Sequence, residues 1–390
     1  MGNQSKRAAQ SGDPKSRVHF VTCGPGLEAL LQEELSGLRV GRLERQVGGA
    51  RFEGRAQDAW AANLCSRTAT RVLERLVRFP APDADRLYDG IQEVDWTKWL
   101  KPGGTLSVAA RSRESELEHT QFVAQRTKDA VVDALREARG ERPNVDRDDP
   151  DLRLDVHLFR DRATLSIDTS GEPLFKRGWR EHQGRAPLSE TMAAAAVLLS
   201  GWDRRSPLVD PFCGSGTILI EAAAIATGRV PGAFGREYAF ERWPDHDARA
   251  FAALKAKVFA KAKPAGKLRL VGYDVDAERV AAARANVAAA GFEDVITIEQ
   301  RAAKDLNLRS GWNAWIVTNP PWGERVGEGD ALVGLYQDFG AYCREHLAGY
   351  SLSVLSGNNQ LTKALGLKAD RRVAMEHGGI EVELVNFSLH

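Results

Sequence analysis

The apolar positions fall into two regimes along the chain. Before about residue 170, short alternating stretches are mixed with amphipathic ones. "VHFVTC" (18–23) predicts a strand, and Leu27, Leu30, Leu31, Leu35 and Leu38 follow it at helical spacing. "RFEG" predicts a further strand and "RVLERLVRF" a helical piece. "IQEVDWTKWL" stops at Lys101-Pro102-Gly103-Gly104, a chain break, and "TLSVAAR" predicts a strand beyond it. "HTQFVAQRTKDAVVDALREARG" is an amphipathic helix closed by Gly140. "DLRLDVHLFRDRATLSIDTSG" alternates apolar and polar residues around Asp161-Arg162, the pattern of a hairpin. This half is mixed α+β, and no residue in it reads as catalytic.

From about residue 187 the pattern changes. A helix ("LSETMAAAAVLLSGW") leads into a strand ("PLVDPF"), a glycine loop and another helix. The later strands are "LRLVGYD", "VITIEQ", "AWIVTNP", "YSLSVLSG" and "IEVELVNFSL". Helices separate them; one carries Leu332, Leu335, Tyr336, Phe339, Tyr342 and Leu347 on its apolar face. Apolar strands alternating with helices predict a mostly parallel, doubly wound α/β sheet, with ligands at the C-terminal ends of its strands. Residues 228–267 form a longer, partly helical insertion, and no internal repeat is visible.

Composition narrows the class. At 390 residues the chain suggests two or three domains, and 43% hydrophobic with 27% charged residues reads as globular. A net charge of +1 gives no global field for nucleic acid, so any such footprint must be a local patch. Cys23, Cys65, Cys213 and Cys343 form no C-x-x-C pair, which argues against a zinc ribbon or a disulfide framework. His119, His157, His182 and His246 show no ligand spacing, so no metal is expected. The longest apolar run, 192–199, is too short to span a membrane, and a cytoplasmic protein is expected. Residues 1–17, polar and mildly basic, read as a disordered tail.

"VDPFCGSGTILIEAAAIA" sets Asp210 at a strand end, before a Gly-Ser-Gly turn and a helix. A phosphate loop would need Gly-Lys-Ser/Thr, which is absent. A dinucleotide loop would offer its helix N-terminus to a pyrophosphate, which Asp210 would repel. S-adenosylmethionine (AdoMet) presents an ammonium and a sulfonium here, which a carboxylate favours. Asp274, at the end of "GYDVD", is placed to accept hydrogen bonds from ribose hydroxyls, and Asp276 to cap the next helix. A helix-capping loop with a surface Asp is the structural alternative. Cys213 reads as a small buried residue rather than a reactive one.

"TNPPWG" follows the fourth strand. Pro320 pushes Asn319 into an extended conformation, and Pro321 fixes another φ and removes a donor. The stiff loop can offer the Asn319 side-chain oxygen and the Pro320 carbonyl to an exocyclic amine, with Trp322 stacking on the ring that carries it. Such an amine attacks a sulfonium methyl in line without a strong general base. A rigid turn with a Trp plugging a core edge is the alternative.

Together, "DPFCGSGTILIEAA" and "NPPWGER" resemble the class I methyltransferases that modify exocyclic amines of nucleobases. "FVTCGPGLEALLQEEL", "RTKDAVVDALRE", "RPNVDRDDPDLRLDVHLFRDRATLSIDTSG" and "KRGWREHQGRAPLSETMAAAAVLLSGW" resemble the bacterial 23S ribosomal RNA guanine-N2 methyltransferases that carry an N-terminal THUMP domain. The resemblance spans nearly the whole chain from Val18. It implies a ferredoxin-like region (18–67), a THUMP RNA-binding domain (68–170), a basic linker (171–186) and a seven-stranded, Rossmann-like methyltransferase domain (187–390), with methyl transfer from AdoMet to guanine N2. It further implies that Asp210, Pro211, Cys213, Gly214, Ser215 and Gly216 line the cofactor, with Asp274 and Val275 at the ribose side. Asn319, Pro320, Pro321 and Trp322 would hold the target base. Pro187 and Leu188 correspond to a segment that touches the methionine carboxylate.

The chain departs from the family at three points. Trp322 stands where Tyr or Phe is usual. Ala302 occupies the position of an adenine-contacting Asp, leaving Asp305 as the candidate. A second methyltransferase domain, present in some relatives, is not in this sequence. "KRGWREHQGR" places Lys176, Arg177, Arg180 and Arg185 around Trp179, a candidate phosphate track or a solvated linker, and Arg126 and Lys128 are further RNA candidates. Ribosomal RNA is the expected partner and transfer RNA the nearer rival. A DNA adenine-N6 methyltransferase and a non-catalytic RNA-binding assembly factor are the alternatives.

Overall fold

The computed structural model describes residues 16–182, 188–309, 311–323 and 329–390. Arg185 and Pro187 lie outside the described residues, as does most of the expected tail.

The first half is one eight-stranded sheet. In chain order it contains β1 (Arg17–Cys23), α1 (Glu28–Gly37), β2 (Gly41–Gln46), β3 (Gly49–Gly54), α2 (Ala56–Cys65), β4 (Ala69–Pro80), α3 (Ala84–Gln92), β5 (Thr105–Arg113), α4 (Thr120–Arg139), β6 (Asn144–Val145), β7 (Leu152–Phe159) and β8 (Arg162–Asp168). The strand order is β2-β3-β1-β4-β8-β7-β5-β6. β4 is long enough to pair with β1 through its first part and with β8 along the rest. A single sheet therefore runs through both N-terminal regions, and the expected division at 67/68 falls just ahead of the shared strand.

"RVLERLVRF" is the middle of β4, not a helix. The register shifts between Arg75 and Val77, so the strand carries an extra residue. That bulge breaks the two-residue alternation and leaves Val72, Leu73, Leu76 and Val77 in pairs that mimic helical spacing. The helix predicted to end at Gly140 does so: Gly140 adopts φ 72° and its amide bonds back to Arg136.

The second half holds α5 (Glu190–Leu199), β9 (Leu208–Asp210), α6 (Thr217–Thr227), α7 (Ala248–Phe259), β10 (Leu270–Asp274), α8 (Ala277–Ala289), β11 (Ile296–Gln300), β12 (Trp315–Thr318), α9 (Gly329–His346), β13 (Ser351–Ser356), α10 (Asn359–Ala364), β14 (Arg371–His377) and β15 (Ile380–Ser388). Its seven strands run β11-β10-β9-β12-β13-β15-β14. β9 to β13 are mutually parallel, and β15 is antiparallel to both neighbours. β9 lies between β10 and β12, so the crossovers reverse direction there and leave a crevice at the strand ends.

The halves are fastened by buried contacts. Arg177 is fully buried and its guanidinium meets Glu221 of α6 at 3.3 Å, with both side chains withdrawn from solvent. The same guanidinium donates to the carbonyls of Leu174 (2.6 Å) and Arg67 (2.5 Å). Arg67 in turn donates to the carbonyls of Ala224 (3.1 Å) and Arg229 (2.7 Å). The insertion after α6 packs Phe240 on Trp60, with ring centroids 5.6 Å apart. These contacts explain why α6 is buried nearly all round. At the other seam the Glu376 amide of β14 donates to the Pro25 carbonyl after β1, at 3.1 Å.

Candidate active site

β9 ends at Asp210, at the crevice. Its carboxylate is buried and accepts from the Thr318 hydroxyl at 2.6 Å and the Phe212 amide at 3.2 Å. No cationic side chain pairs with it among the described residues. Burial pushes its pKa up to about 7; the two hydrogen bonds oppose that rise and the nearby Asp274 adds to it. A buried carboxylate served only by neutral donors suits a cationic ligand.

Thr318 is the last residue of β12, so its hydroxyl joins the end of one motif to the start of the other. Sequence reasoning passed over Thr318. Its place beside a carboxylate 108 residues away has no signature in local spacing.

Asp274, at the end of β10, accepts from the Gly214 amide (3.1 Å) and the Asp276 amide (3.0 Å). One carboxylate thereby sets the glycine loop against the second strand. Asp276 caps α8 by accepting from the Glu278 and Arg279 amides, which separates its role from that of Asp274. Gly214 and Gly216 sit at φ 52° and 82°, the left-handed region that glycine enters without strain. A Cβ at Gly214 would meet nothing within 4 Å, so this backbone borders open space.

Cys213 is buried and its amide bonds to the Tyr273 carbonyl at 2.9 Å; burial pushes the thiol well up, and it serves packing. Pro211 is buried beside it. Val275 leaves an apolar side chain 64% exposed at the end of β10, open to a flat ligand. Asp305 ends a short turn and is exposed, with no side-chain partner among the described residues.

The linker braces the loop. Arg180 is largely withdrawn from solvent, pairs with Glu190 at 2.8 Å, and donates to Ser215 Oγ (3.2 Å), Thr217 Oγ1 (3.0 Å) and the Leu188 carbonyl (3.0 Å). Asn286 of α8 accepts from the Glu181 and His182 amides and donates to the Ser215 carbonyl. Arg177 and Arg180 are therefore not part of a phosphate track: the first is sealed against α6 and the second holds the glycine loop. Lys176 remains exposed and pairs with Glu172. On α4, Arg126 bonds to Asp85 and lies over the Tyr88 ring, and Lys128 pairs with Asp129.

The loop after β12 holds Asn319 half-buried, Pro320 buried and Pro321 exposed. The Trp322 indole N–H donates to Asn319 Oδ1 at 2.8 Å. An indole N–H can only donate, so this bond fixes which end of the carboxamide accepts, and Oδ1 keeps a second lone pair. The Trp322 ring lies against Gly357, where an added Cβ would come within 2.6 Å of it. The Tyr336 hydroxyl donates to the Pro321 carbonyl at 3.3 Å, tying the loop to α9. Among the described residues no group of three or more His, Cys, Asp or Glu is placed to hold a metal, and no helix is long and apolar enough to cross a membrane.

A reversed-crossover sheet, a glycine loop between two acidic strand ends and a stiff Asn-Pro-Pro loop across the same crevice define the class I methyltransferase fold. Residues 177–386 match the RMKL-like methyltransferase domain, residues 81–168 the THUMP domain and residues 19–73 the RlmL ferredoxin-like domain. The chain belongs to the RMKL-like methyltransferase family. It is 38% identical over 383 residues to a ribosomal RNA large subunit methyltransferase K/L of Methylococcus capsulatus and 39% identical over 382 residues to that of Syntrophotalea carbinolica. These matches cover 96% and 95% of this chain but 52% and 53% of the relatives, so the chain spans about half the length of the curated relatives it matches. Among solved structures, a provisionally assigned methyltransferase crystallised with SAH is 31% identical, with TM-score 0.87 and coverage of 97% of this chain and 99% of its own. A Listeria monocytogenes protein provisionally described as an N6-adenine-specific DNA methylase is 32% identical, with TM-score 0.87 and coverage of 96% and 97%.

Proposed function

We propose that this protein transfers a methyl group from AdoMet to the exocyclic N2 amine of a guanine in 23S ribosomal RNA. The observation that carries the reading is the Thr318–Asp210 hydrogen bond, which holds a cation-seeking carboxylate next to an amine-holding loop. The curated relatives, named as ribosomal RNA large subunit methyltransferases, supply the substrate class.

The residues suit the cofactor. Asp210 offers a buried negative charge to a ligand that is cationic at that end. Asp274 is already oriented by two backbone donors and has lone pairs left for a diol. Gly214 and Gly216 let backbone approach closely, and Val275 offers an apolar surface. When bound, AdoMet supplies an electrophilic methyl group.

The protein's part is to hold the nucleophile. Asn319 Oδ1, set by Trp322, and the Pro320 carbonyl accept from the guanine amine and draw its lone pair out of conjugation. The amine would form its new N–C bond as the S–CH3 bond of the sulfonium breaks, the bonding pair staying on sulfur, and the surplus proton on nitrogen would leave to water. Proximity and orientation do most of this work, and no general base is required. To reach the crevice the base must leave its stack, so the enzyme acts on a flipped or unpaired nucleotide.

The test is transfer of label from tritiated AdoMet to unmodified 23S ribosomal RNA, with transfer RNA and duplex DNA as competitors. Preferential transfer to ribosomal RNA, lost in Asn319→Ala, is expected. The Listeria relative favours one other reading, DNA adenine-N6 methylation, and duplex DNA outcompeting RNA would select it.

A further inference from the structure

The eight-stranded sheet has one face packed and one open. The packed face carries Val21, Phe52, Val72, Val156, Leu165 and Ile167, all fully buried, and α1 to α4 lie on it. The opposite face follows from the register. Arg51 of β3 lies beside Phe20 of β1, and Arg75 of β4 lies across β1 at Val18 and beside Ser166 of β8. The bulge after Arg75 then returns Arg78 to this same face, beside Thr164. Thr164 neighbours His157 of β7, and His157 neighbours Arg111 of β5. Arg153 stands two residues before Asp155 on the same strand face.

Charge on this face is unbalanced. Arg51 has Glu53 at 2.6 Å and Arg111 has Asp155 at 2.9 Å, but Arg75 and Arg78 have no acidic partner among the described residues. Arg75 Nε is buried without an acceptor; Arg153 Nε lacks one too, but that guanidinium donates to the Asp148 carbonyl and lies in the field of Asp168 on the same face. Burial, then the fields of Arg51 and Arg78, hold Arg75 below its usual basicity. Burial and then the Arg111 field likewise lower His157, with Asp155 opposing and Arg75 and Arg78 adding to the decrease. Cations assembled without counter-charges are destabilised in the free protein, and a polyanion relieves that cost. Aromatic surface is interleaved: the rings of His157 and Phe159 stack with centroids 6.4 Å apart.

We propose that this open face docks the phosphate backbone of a structured RNA segment neighbouring the target nucleotide. The proposal rests on the RNA substrate assigned above and locates its second point of contact. From β3 across to β5 the face spans six strands, roughly 24 Å at the usual spacing, enough for several phosphates. The half that carries it is joined to the methyltransferase half at the Pro25–Glu376 seam. The mechanism is backbone recognition by shape and charge, with bases left to the Asn319 loop.

Fluorescence anisotropy of a labelled 23S ribosomal RNA fragment, titrated at several salt concentrations, tests this without depending on methyl transfer. Arg75→Gln/Arg78→Gln is expected to weaken binding at least tenfold at low salt. It should reduce the slope of log affinity against log salt by about 1.4 to 1.8, the value for two lost phosphate contacts. SAH affinity and the thermal midpoint report folding, and relief of like-charge repulsion is expected to leave the midpoint unchanged or raised. Should the double variant not fold, the exposed Arg78→Gln alone is expected to lower the slope by about 0.7 to 0.9. Unchanged affinity and slope would overturn the proposal. So would a comparable loss from Arg126→Gln/Lys128→Gln on the helical face, or equal loss of duplex DNA binding with no preference for RNA.

Discussion

Thr318→Val deletes one hydroxyl and nearly keeps the shape of a fully buried side chain. The hydroxyl donates to Asp210 at 2.6 Å, and a hydrogen bond to a charged group contributes about 1.5 to 3 kcal/mol. At 1.36 kcal/mol per pKa unit its loss moves the Asp210 carboxyl up by about 1 to 2 units, because the bond favours the ionised form. The wild-type value of about 7 leaves the carboxyl half ionised at pH 7. In the variant roughly 1 to 10% is ionised there, so SAH, which shares the cationic end of AdoMet, should bind about 5- to 50-fold more weakly at pH 7.

The sign is specific. Only the carboxylate attracts the ammonium, so wild-type affinity falls as pH falls through about 7, and in the variant the fall begins 1 to 2 units higher. The stability of the free protein runs the other way. A carboxyl raised in the fold loses stability as pH climbs from the ordinary carboxylate range towards 7. The thermal shift given by SAH should therefore grow between pH 6 and pH 8. Titration calorimetry of SAH at half-unit steps from pH 6 to 8.5 reads both effects. Identical affinity and identical midpoint in Thr318→Val would refute the role assigned to this bond and the charge assigned to Asp210.

Two further substitutions probe the same frame. Gly357→Ala should push the Trp322 ring, since the new Cβ comes within 2.6 Å of Cε3, and release the indole from Asn319; methyl transfer should fall at least tenfold while SAH titration is unchanged. Glu221→Ala leaves Arg177 charged in a fully closed site and should cost about 3 to 5 kcal/mol, visible in denaturant unfolding of the intact chain.

The sequence patterns that proved informative were those with short-range causes. Asp210, Asp274 and Asn319 stand at strand ends because apolar strands alternate with helices at regular intervals, and the α/β sheet then brings the three to one edge. Gly140 and Asp276 were readable as a C-cap and an N-cap because capping is local. What failed depended on partners distant in sequence. The β4 bulge disguised a strand as a helix. "RRVAMEH" gave no strand signal because β14 is an edge strand in which only Met375 is buried. Arg177 and Arg180 looked like surface cations beside Trp179, and only the fold shows Glu221 and Glu190 waiting for them. The arginines of the open sheet face are scattered over four strands, so no window of sequence displays them as a patch.

In the proposed reaction the Asn319 loop holds a guanine amine for methyl transfer. Mass-spectrometric mapping of nucleosides in 23S ribosomal RNA, after incubation of unmodified RNA with purified protein and AdoMet, tests it most directly. N2-methylguanosine at a defined position is expected with wild-type protein, and none with Asn319→Ala. Methylation on another base or atom, or N2-methylguanosine formed equally well by Asn319→Ala, would contradict it.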